Sequence, residues 1–179
     1  MRTLKRFLSF IASRMFMLTV VSALLIIAFY LAMNTANIWV LIGDGLDARA
    51  GVVLTGTGEE MLSRYFRQEF LSQDPVLQVG LSDASPYRDY EIRGYDHRVR
   101  MVSVWAWPWE DVARAEIIES VPAIDGVIRS SRREAALAEG GEERLSPPKW
   151  STARYRVTLV RSAGRWMISN LQLIEQMEE

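Results

Sequence analysis

A run of 19 residues without one charged side chain most constrains this chain; it begins at Met15 and ends at Met33. As a helix rising about 1.5 Å per residue, the run covers about 28 Å, close to the roughly 30 Å hydrocarbon core of a bilayer. It is apolar on every face, which argues against the core helix of a soluble protein. The sequence therefore predicts one transmembrane helix over 15–36 that contacts membrane lipid through residues 15–33.

Charge is distributed unevenly about this run. Arg2, Lys5, Arg6 and Arg14 precede it without an acidic residue, and all 22 Asp and Glu residues of the chain follow it. Under the positive-inside rule this asymmetry places the basic side in the cytoplasm. We therefore expect residues 1–14 to be a cytoplasmic tail and the rest of the chain after the span to be extracytoplasmic.

A cleaved signal peptide is the competing interpretation, since it also has a basic start and an apolar middle. Its apolar region is usually about 7–15 residues long, shorter than the run seen in this chain. The nearest cleavage site would need Asn34 and Ala36 at its two critical positions, where small residues are preferred. We therefore expect an uncleaved, single-pass protein of the plasma membrane.

Composition excludes several classes of chemistry. The chain has no cysteine and a single histidine, His97, so it has no disulfide framework, no thiol nucleophile and no multi-histidine metal centre. Seventeen basic and 22 acidic residues follow the span, a net charge of about −5 that argues against nucleic-acid binding. The motifs of P-loop nucleotide binding, zinc proteases and serine hydrolases do not occur. We expect no catalytic residue, no cofactor, no metal site and no nucleic-acid partner.

The segment that follows the span is expected to be a juxtamembrane connector over 37–56. Gly43, Asp44 and Gly45 should break any helix that continues outward from the membrane. Thr57 and Glu60 have the spacing of a capping box, so an amphipathic helix is predicted from 57 to the Asp74 and Pro75 pair. A single extracytoplasmic domain is therefore expected over 57–179.

Alternation with a period of two then predicts four main β-strands. The first strand ends near Pro108, and the second runs over about 112–121 in a register that places Glu119 opposite Met101. The last two strands, 150–161 and 165–174, form a hairpin in which Arg161 is opposite Arg165. This order predicts an α+β fold in which one amphipathic helix packs on a curved antiparallel sheet.

The element order and the hairpin pattern V-x-L-V-R-x-x-G-R-W-x-I, which begins at Val157 and ends at Ile168, resemble the nuclear transport factor two-like family. The resemblance covers residues 57–174. It implies helices packed into the concave face of a curved sheet. The family includes isomerases, dehydratases, carriers and non-catalytic assembly domains, so the fold alone does not settle function. Single-pass proteins with such a domain are similar to subunits of conjugation and sporulation machines.

One candidate pocket contains an acid, an imidazole and a phenol. Tyr95 and His97 share the apolar face of the first predicted strand, and Glu119 lies on the apolar face of the next one. Such groups can transfer protons if burial moves the pKa of the carboxyl group toward neutrality. In the predicted register, however, Glu119 is two same-face positions from His97, too far for a direct hydrogen bond. Structural roles at the sheet margin are the alternative for these residues.

One candidate protein interface combines an exposed turn with an apolar patch. Trp109 lies beyond Pro108 and should be exposed, whereas Trp105 and Trp107 should pack in the core. Val160, Trp166 and Ile168 fall on the otherwise polar face of the last hairpin, where an apolar patch is typical of a contact with another protein. These four residues, Trp109, Val160, Trp166 and Ile168, are the predicted interface.

These features lead us to expect a non-catalytic single-pass membrane protein. Its extracytoplasmic domain would assemble with itself or with another protein of a bacterial cell-envelope complex. The alternative is a small-molecule-binding or isomerase-like domain that uses the concave pocket of the sheet.

Overall fold

One very long helix leads into a four-stranded antiparallel sheet. The computed structural model describes residues 2–177, with side chains from residue 10 onward, so the basic side chains expected in the cytoplasm at Arg2, Lys5 and Arg6 lie outside the described ones. The α-helices are α1 (Arg2–Thr55), α2 (Gln68–Leu71), α3 (Pro75–Leu81) and α4 (Arg133–Gly140), and short 3-10 helices cover Glu59–Arg64, Ser130–Arg132 and Gly141–Leu145. The strands are β1 (Tyr90–Trp105), β2 (Val112–Ile128), β3 (Thr152–Ser162) and β4 (Arg165–Met177), in the order β1-β2-β3-β4. The predicted α+β class is confirmed.

Helix α1 has two halves in different surroundings. It contains 54 residues, which corresponds to a length of about 80 Å. Between residues 10 and 33 its side chains are exposed on nearly every face, and the helix is long and apolar enough to cross a membrane, a property that signal sequences share. From Asn34 onward one face is buried, with Ile38, Ile42 and Leu46 in the core at intervals of four residues. The segment 37–56 is therefore part of the folded domain and not a connector.

The predicted helix break at 43–45 is wrong, and packing explains the glycine there. Both Gly43 and Gly45 lie inside α1. A Cβ atom at Gly45 would lie 3.1 Å from the Tyr65 Cβ and 3.2 Å from the Ile168 Cδ1. Gly45 thus permits close approach of α1 to the chain beneath it, and helical hydrogen bonding is maintained around it.

The predicted amphipathic helix over 57–74 is also wrong in detail. Gly58, with a φ of 87°, precedes the 3-10 helix, and the Thr57 hydroxyl meets the Thr55 hydroxyl instead of capping a helix. Asp74 does not end a helix but begins α3, since its carboxylate accepts a hydrogen bond of 3.0 Å from the Val76 amide. Pro75 is then the first helical residue, where its missing N–H costs nothing. The second half of α1 supplies the main helical face against the sheet instead.

The β3–β4 hairpin is tighter than predicted, and this moves its apolar residues. Ser162 pairs with Arg165, leaving a two-residue loop in which Ala163 and Gly164 both have positive φ, at 49° and 78°. Leu159 therefore pairs with Ile168. Because side chains alternate between faces, a shift of one residue moves Trp166 and Ile168 to the core side.

A β-bulge in β1 explains a second difference from the prediction. Met101 pairs with Ile117 and Ser103 pairs with Glu116, so Val102 is an extra residue in β1. After this bulge, the side chains of β1 that were expected on the core face lie on the opposite face of the sheet. Trp105 therefore pairs with the exposed Arg114. The expected burial of Trp105 is wrong: its exposed fraction is 60%.

Substitution of two nearby glycines tests the continuity of α1. A Cβ at Gly43 meets no atom within 4 Å, so Gly43→Ala should raise the free energy of unfolding by about 0.5–1 kcal/mol. Gly45→Ala should lower it, because the new methyl group would lie only 3.1 Å from the Tyr65 Cβ and would force α1 or its neighbours to shift by a few tenths of an ångström. Chemical unfolding of the full-length protein in detergent micelles measures both values. A loss of stability in Gly43→Ala would contradict an uninterrupted helix.

Candidate functional site

A group of charged and polar side chains lies buried between α1, α3 and the sheet. We call Arg49, Asp74, His97 and Glu119 the buried polar cluster. Asp47, whose side chain is 56% exposed, lies at its edge. Arg49 comes from α1, Asp74 from the start of α3, His97 from β1 and Glu119 from β2. Charged groups are costly to remove from water unless they are paired, so their pairing determines what this region can do.

Arg49 and Asp74 form a bidentate ion pair. The Arg49 Nε and Nη2 atoms donate to the two carboxylate oxygens of Asp74 at 2.6 and 3.1 Å, and each side chain is only 2% exposed. Burial alone lowers the pKa of Arg49, but the hydrogen bonds and charge of Asp74 raise it above its ordinary value. The guanidinium therefore remains charged, and this pair fastens α1 to α3.

His97 and Glu119 form a second pair, which the predicted register excluded. Glu119 pairs with Val99 instead of Met101, which places its carboxylate one step closer to the imidazole. The Nε2 atom of His97 lies 3.1 Å from the Oε1 atom of Glu119. On its other side, the His97 Nδ1 atom lies 3.6 Å from a carboxylate oxygen of Asp47 in α1. The expectation that His97 and Glu119 lie too far apart is wrong.

This acid–base pair is closed to solvent. The side chain of His97 is 4% exposed and that of Glu119 is 0% exposed. A general acid or base must reach the proton that it transfers within hydrogen-bond distance. The pair can hold α1 against the sheet through Asp47, but its enclosure leaves no direct approach for a substrate.

Tyr95, the third predicted pocket residue, contacts a different partner. Its hydroxyl donates to the backbone carbonyl oxygen of Asp47 at 3.2 Å. Burial, with the nearby charge of Asp47, raises the pKa of Tyr95. The structure thus brings His97 and Glu119 into direct contact and joins Tyr95 to them only through Asp47.

A groove of about 470 Å³ lies between α3 and the β3–β4 hairpin. Tyr87 and Trp150 stack beside it with ring centroids 6.4 Å apart. Its lining is mainly apolar and includes Val76, Val79, Tyr87, Trp150, Tyr155 and Leu173. This volume is within the range of small-molecule sites. The groove therefore differs from the predicted pocket, since none of Tyr95, His97 and Glu119 belongs to its lining.

Tyr155 links the groove to the buried polar cluster. It lines the groove, and burial raises its pKa, with a further contribution from the negative charge of Glu119. The positive charge of Arg49 acts in the opposite direction. The Tyr155 phenol therefore lies both in the groove and within the electrostatic influence of the cluster.

The four residues of the predicted protein interface do not form one exposed surface. Trp109 is 69% exposed, as expected. The expected exposure of Trp166 and Ile168 is wrong, because both belong to the core, and Val160 is partly buried. The indole Nε1 of Trp166 donates to the Asn34 Oδ1 atom at 3.0 Å, so Trp166 fixes the hairpin to α1.

Three structurally central residues were missed by the sequence interpretation. Arg49 follows Asp44 and Asp47 in α1, so its charge is not isolated in the sequence and gave no signal of burial. Asp74 before Pro75 has the composition of a helix start, with an N-cap aspartate and proline at the first helical position. Asn34 carried no comparable signal, because its partner Trp166 lies 132 residues away along the chain.

Comparison of the chain with protein-family models, with curated proteins and with solved structures found no match. Within residues 2–177, no group of three or more His, Cys, Asp or Glu side chains could hold a metal ion. The resemblance to the nuclear transport factor two-like family therefore stays a prediction.

Removal of one member of the buried ion pair should be strongly destabilising. Asp74→Ala leaves the Arg49 charge buried without its partner, so we expect a loss of about 3–5 kcal/mol in the free energy of unfolding. The double variant Arg49→Met/Asp74→Ala should recover most of that loss, because the unpaired charge is gone. Unfolding by denaturant measures all three proteins.

The exposed ion pair of Asp83 and Arg88 provides a matched control. Asp83→Ala should cost about 0–1 kcal/mol, since water screens the pair. An equal cost for Asp74→Ala and Asp83→Ala would show that the buried pair does not hold α1 to α3.

The pH dependence of Tyr155 tests its place beside Glu119. Because its pKa is raised above 10.0, its contribution to stability is fully present below pH 10 and is lost as the pH rises through the raised value. Glu119→Gln should lower the pKa of Tyr155, because the neighbouring negative charge is removed. Tyrosinate absorbance measures this as the difference between each protein and its Tyr155→Phe derivative.

Tyr87 is the control for that titration, because burial alone raises its pKa. Glu119→Gln should leave the titration of Tyr87 unchanged. Equal shifts of both tyrosines would indicate general loosening of the fold instead of a local charge effect.

Proposed function

We propose that this chain is a non-catalytic, single-pass membrane protein whose extracytoplasmic domain takes part in a bacterial cell-envelope complex. The main support is that one uninterrupted helix, α1, contains the apolar segment in its first half and packs in the core of the domain with its second half. A domain held in this way cannot rotate freely about a flexible linker. It keeps a fixed orientation relative to the bilayer, which suits assembly with other envelope proteins.

The orientation rests on the charges before the apolar segment. Arg2, Lys5, Arg6 and Arg14 are basic, and the first acidic residue of the chain is Asp44. The positive-inside rule then supports a cytoplasmic side for the basic residues and an extracytoplasmic side for the domain.

Retention of the anchor is supported by contacts just beyond the apolar run. Asn34 is buried and accepts hydrogen bonds from the Trp166 Nε1 at 3.0 Å and from the Arg161 Nη2 at 3.3 Å. Cleavage after Ala36 would remove Asn34 and leave the buried Trp166 N–H without that partner. An unsatisfied buried donor costs about 1–3 kcal/mol. The folded domain should therefore be more stable when α1 is uncleaved.

A structural role for the buried polar cluster supports the non-catalytic part of the proposal. His97 and Glu119 are enclosed, and their contacts join α1 to β1 and β2. We further propose that the domain belongs to the nuclear transport factor two-like fold, with the second half of α1 as the helix that packs on the sheet. Many assembly domains of that fold carry no active site.

The open end of β4 is the surface that we assign to a protein partner. The backbone of Ile168 is covered on its outer side, where it exchanges hydrogen bonds with Tyr65 and Arg67 at 2.8 and 2.9 Å. Within residues 2–177, no strand or bridge pairs with the outer edge of β4 beyond Ile168. Three apolar side chains are exposed along this stretch, at Leu173, Ile174 and Met177. Unprotected edge strands with apolar side chains favour pairing with another chain.

The other edge of the sheet is better protected. Strand β1 carries exposed charges at Arg93, Arg98 and Arg100, whereas the described stretch of β4 after Ile168 has one exposed charge, at Glu175. Charges are a usual means by which edge strands avoid pairing. Both edge strands contain two bulged residues, so the charges alone favour β4 as the assembly edge.

A second candidate function is the binding of a small apolar molecule in the groove beside Tyr155. The groove volume and its aromatic lining favour it. Such a ligand would quench or shift the emission of Trp150, which stacks with Tyr87 at the groove. Absence of any response to a panel of apolar ligands, with an intact fold, would count against this second function.

Site-specific photo-crosslinking tests the assembly proposal. A photoreactive residue at Ile174, in the full-length protein in its own membrane, should give an adduct, whereas one at Val127 at the far end of β2 should not. The mass of the adduct distinguishes a second copy of the chain from another envelope protein. Ile174→Lys should reduce formation of the complex by about tenfold, because a charge would be buried in the contact.

A different outcome would overturn the proposal. If the residue at Ile174 gave no adduct and the protein remained monomeric in its membrane, the domain would not be an assembly module. If the mature chain lacked residues before Asn34, the anchor would be a cleaved signal sequence instead.

A further inference from the structure

The turn between β1 and β2 exposes an unusual cluster of aromatic rings. We call Trp105, Trp107 and Trp109 the tryptophan turn. The rings of Trp105 and Trp107 meet edge to face with centroids 5.4 Å apart, and those of Trp107 and Trp109 stack at 5.1 Å. Trp105 is 60% exposed and Trp109 is 69% exposed. Large apolar rings that pack on one another and not in the core indicate a surface that meets an apolar or interfacial environment.

A chain of contacts places this turn at the end of the sheet where α1 enters the domain. The Arg161 amide donates to the carbonyl oxygen of Asp111, two residues after Trp109, at 2.8 Å. Arg161 pairs with Trp166 across the β3–β4 hairpin, and its guanidinium lies over the Trp166 ring at 4.5 Å. Both Arg161 and Trp166 then donate to Asn34. Asn34 directly follows the apolar run, so the two hairpin turns lie beside the exit of α1 from that run.

Helix α1 also exposes apolar side chains just after the apolar run. Trp39 and Val40 follow the apolar run by less than two turns of helix, and both are exposed. Trp39 is therefore close to the level at which tryptophan is enriched in membrane proteins, the boundary between acyl chains and headgroups. The tryptophan turn has the same composition at the same end of the domain.

We propose that the tryptophan turn is a second membrane contact, seated at the headgroup boundary of the bilayer that α1 spans. Indole rings prefer this boundary because their faces are apolar and their N–H groups reach water. The contact fixes the tilt of the domain, since α1 supplies one attachment and the turn supplies another at its side. The inference rests on the membrane anchoring proposed above and adds the lipid surface as a partner of the folded domain.

The charges near the turn indicate what kind of lipid contact this is. Glu110 and Asp111 follow the tryptophans, and Arg161 and Arg165 belong to the neighbouring hairpin. The exposed Arg114, opposite Trp105, is a third positive charge. Three positive and two negative charges leave a net charge of only +1, so attraction to anionic lipid is not the main force. The contact should form on zwitterionic phosphatidylcholine and should persist at high salt, where electrostatic attraction to a membrane is screened.

The cysteine-free chain permits a direct test in the full-length protein. Single variants Trp109→Cys and Trp105→Cys receive an environment-sensitive fluorophore, and the proteins are reconstituted in phosphatidylcholine bilayers that contain a spin-labelled lipid. Phe16→Cys reports the span. Val127→Cys, an exposed position 15 residues along β2 from Val112, reports the far end of the domain, up to about 50 Å away along the strand.

The expected result is strong lipid quenching at Phe16→Cys, Trp109→Cys and Trp105→Cys, with quenching at the two turn positions about fivefold above that at Val127→Cys. Weak quenching at both turn positions with strong quenching at Phe16→Cys would overturn the second contact but leave the anchor intact. Weak quenching at Phe16→Cys would overturn the anchor itself.

Aqueous iodide separates lipid contact from a protein contact. A fluorophore at the turn that is shielded from both iodide and the spin-labelled lipid would be covered by protein, including a second copy of this chain, and would overturn the proposal. The two substituted tryptophans are exposed, so neither change removes a core side chain, and circular dichroism checks each fold.

Discussion

The continuity of α1 is the constraint on which the rest of the structure depends. One continuous helix, which in our proposal contacts lipid over its first half, packs in the protein core over its second half. A helix that is apolar on all sides suits the first environment, and a single apolar stripe suits the second. The sequence changes from one pattern to the other at Asn34, which is also where the first long-range hydrogen bonds of α1 are made. In our proposal, one element therefore sets both the position in the membrane and the position in the fold.

The second half of α1 is held by a combination of close packing and enclosed charge. Gly45 brings the helix against Tyr65 and Ile168, while Arg49 reaches Asp74 at the start of α3. The charged pair costs free energy to desolvate, so its effect on net stability is smaller than its short distances suggest. The pair does join α1 to the start of α3 through two hydrogen bonds. In our proposal these contacts keep the domain in one orientation above the bilayer.

Residues that attract attention as catalytic candidates are used to hold the fold together. His97 and Glu119 make the acid–base contact that an isomerase would need, but both are enclosed beneath α1. The exposed chemistry of the domain lies elsewhere, in the tryptophan turn at the end near α1 and in the apolar groove and β4 edge. This division favours a protein that contacts lipid and other proteins over one that processes a substrate.

Much of the outline could be predicted from the sequence because it depends on local patterns. The apolar run, the alternation of the strands and the position of the last hairpin are all readable within short windows, and the α+β class follows from their order. The errors arose where one residue decides which way many others face. The extra residue Val102 turns Trp105 outward, and the two-residue loop at Ala163 turns Ile168 inward.

The sequence by itself determined the apolar segment and the four strands, since hydrophobic periodicity and turn residues act over a few positions. The end of β2 was predicted near 121, but the strand continues to Ile128. Only the tertiary structure decided that α1 continues through Gly43 and Gly45, that His97 meets Glu119, and that Asn34 receives the Trp166 indole. These features depend on partners distant in sequence. A glycine can break one helix and permit close packing of another, and only the segments that pack against it determine which role it has.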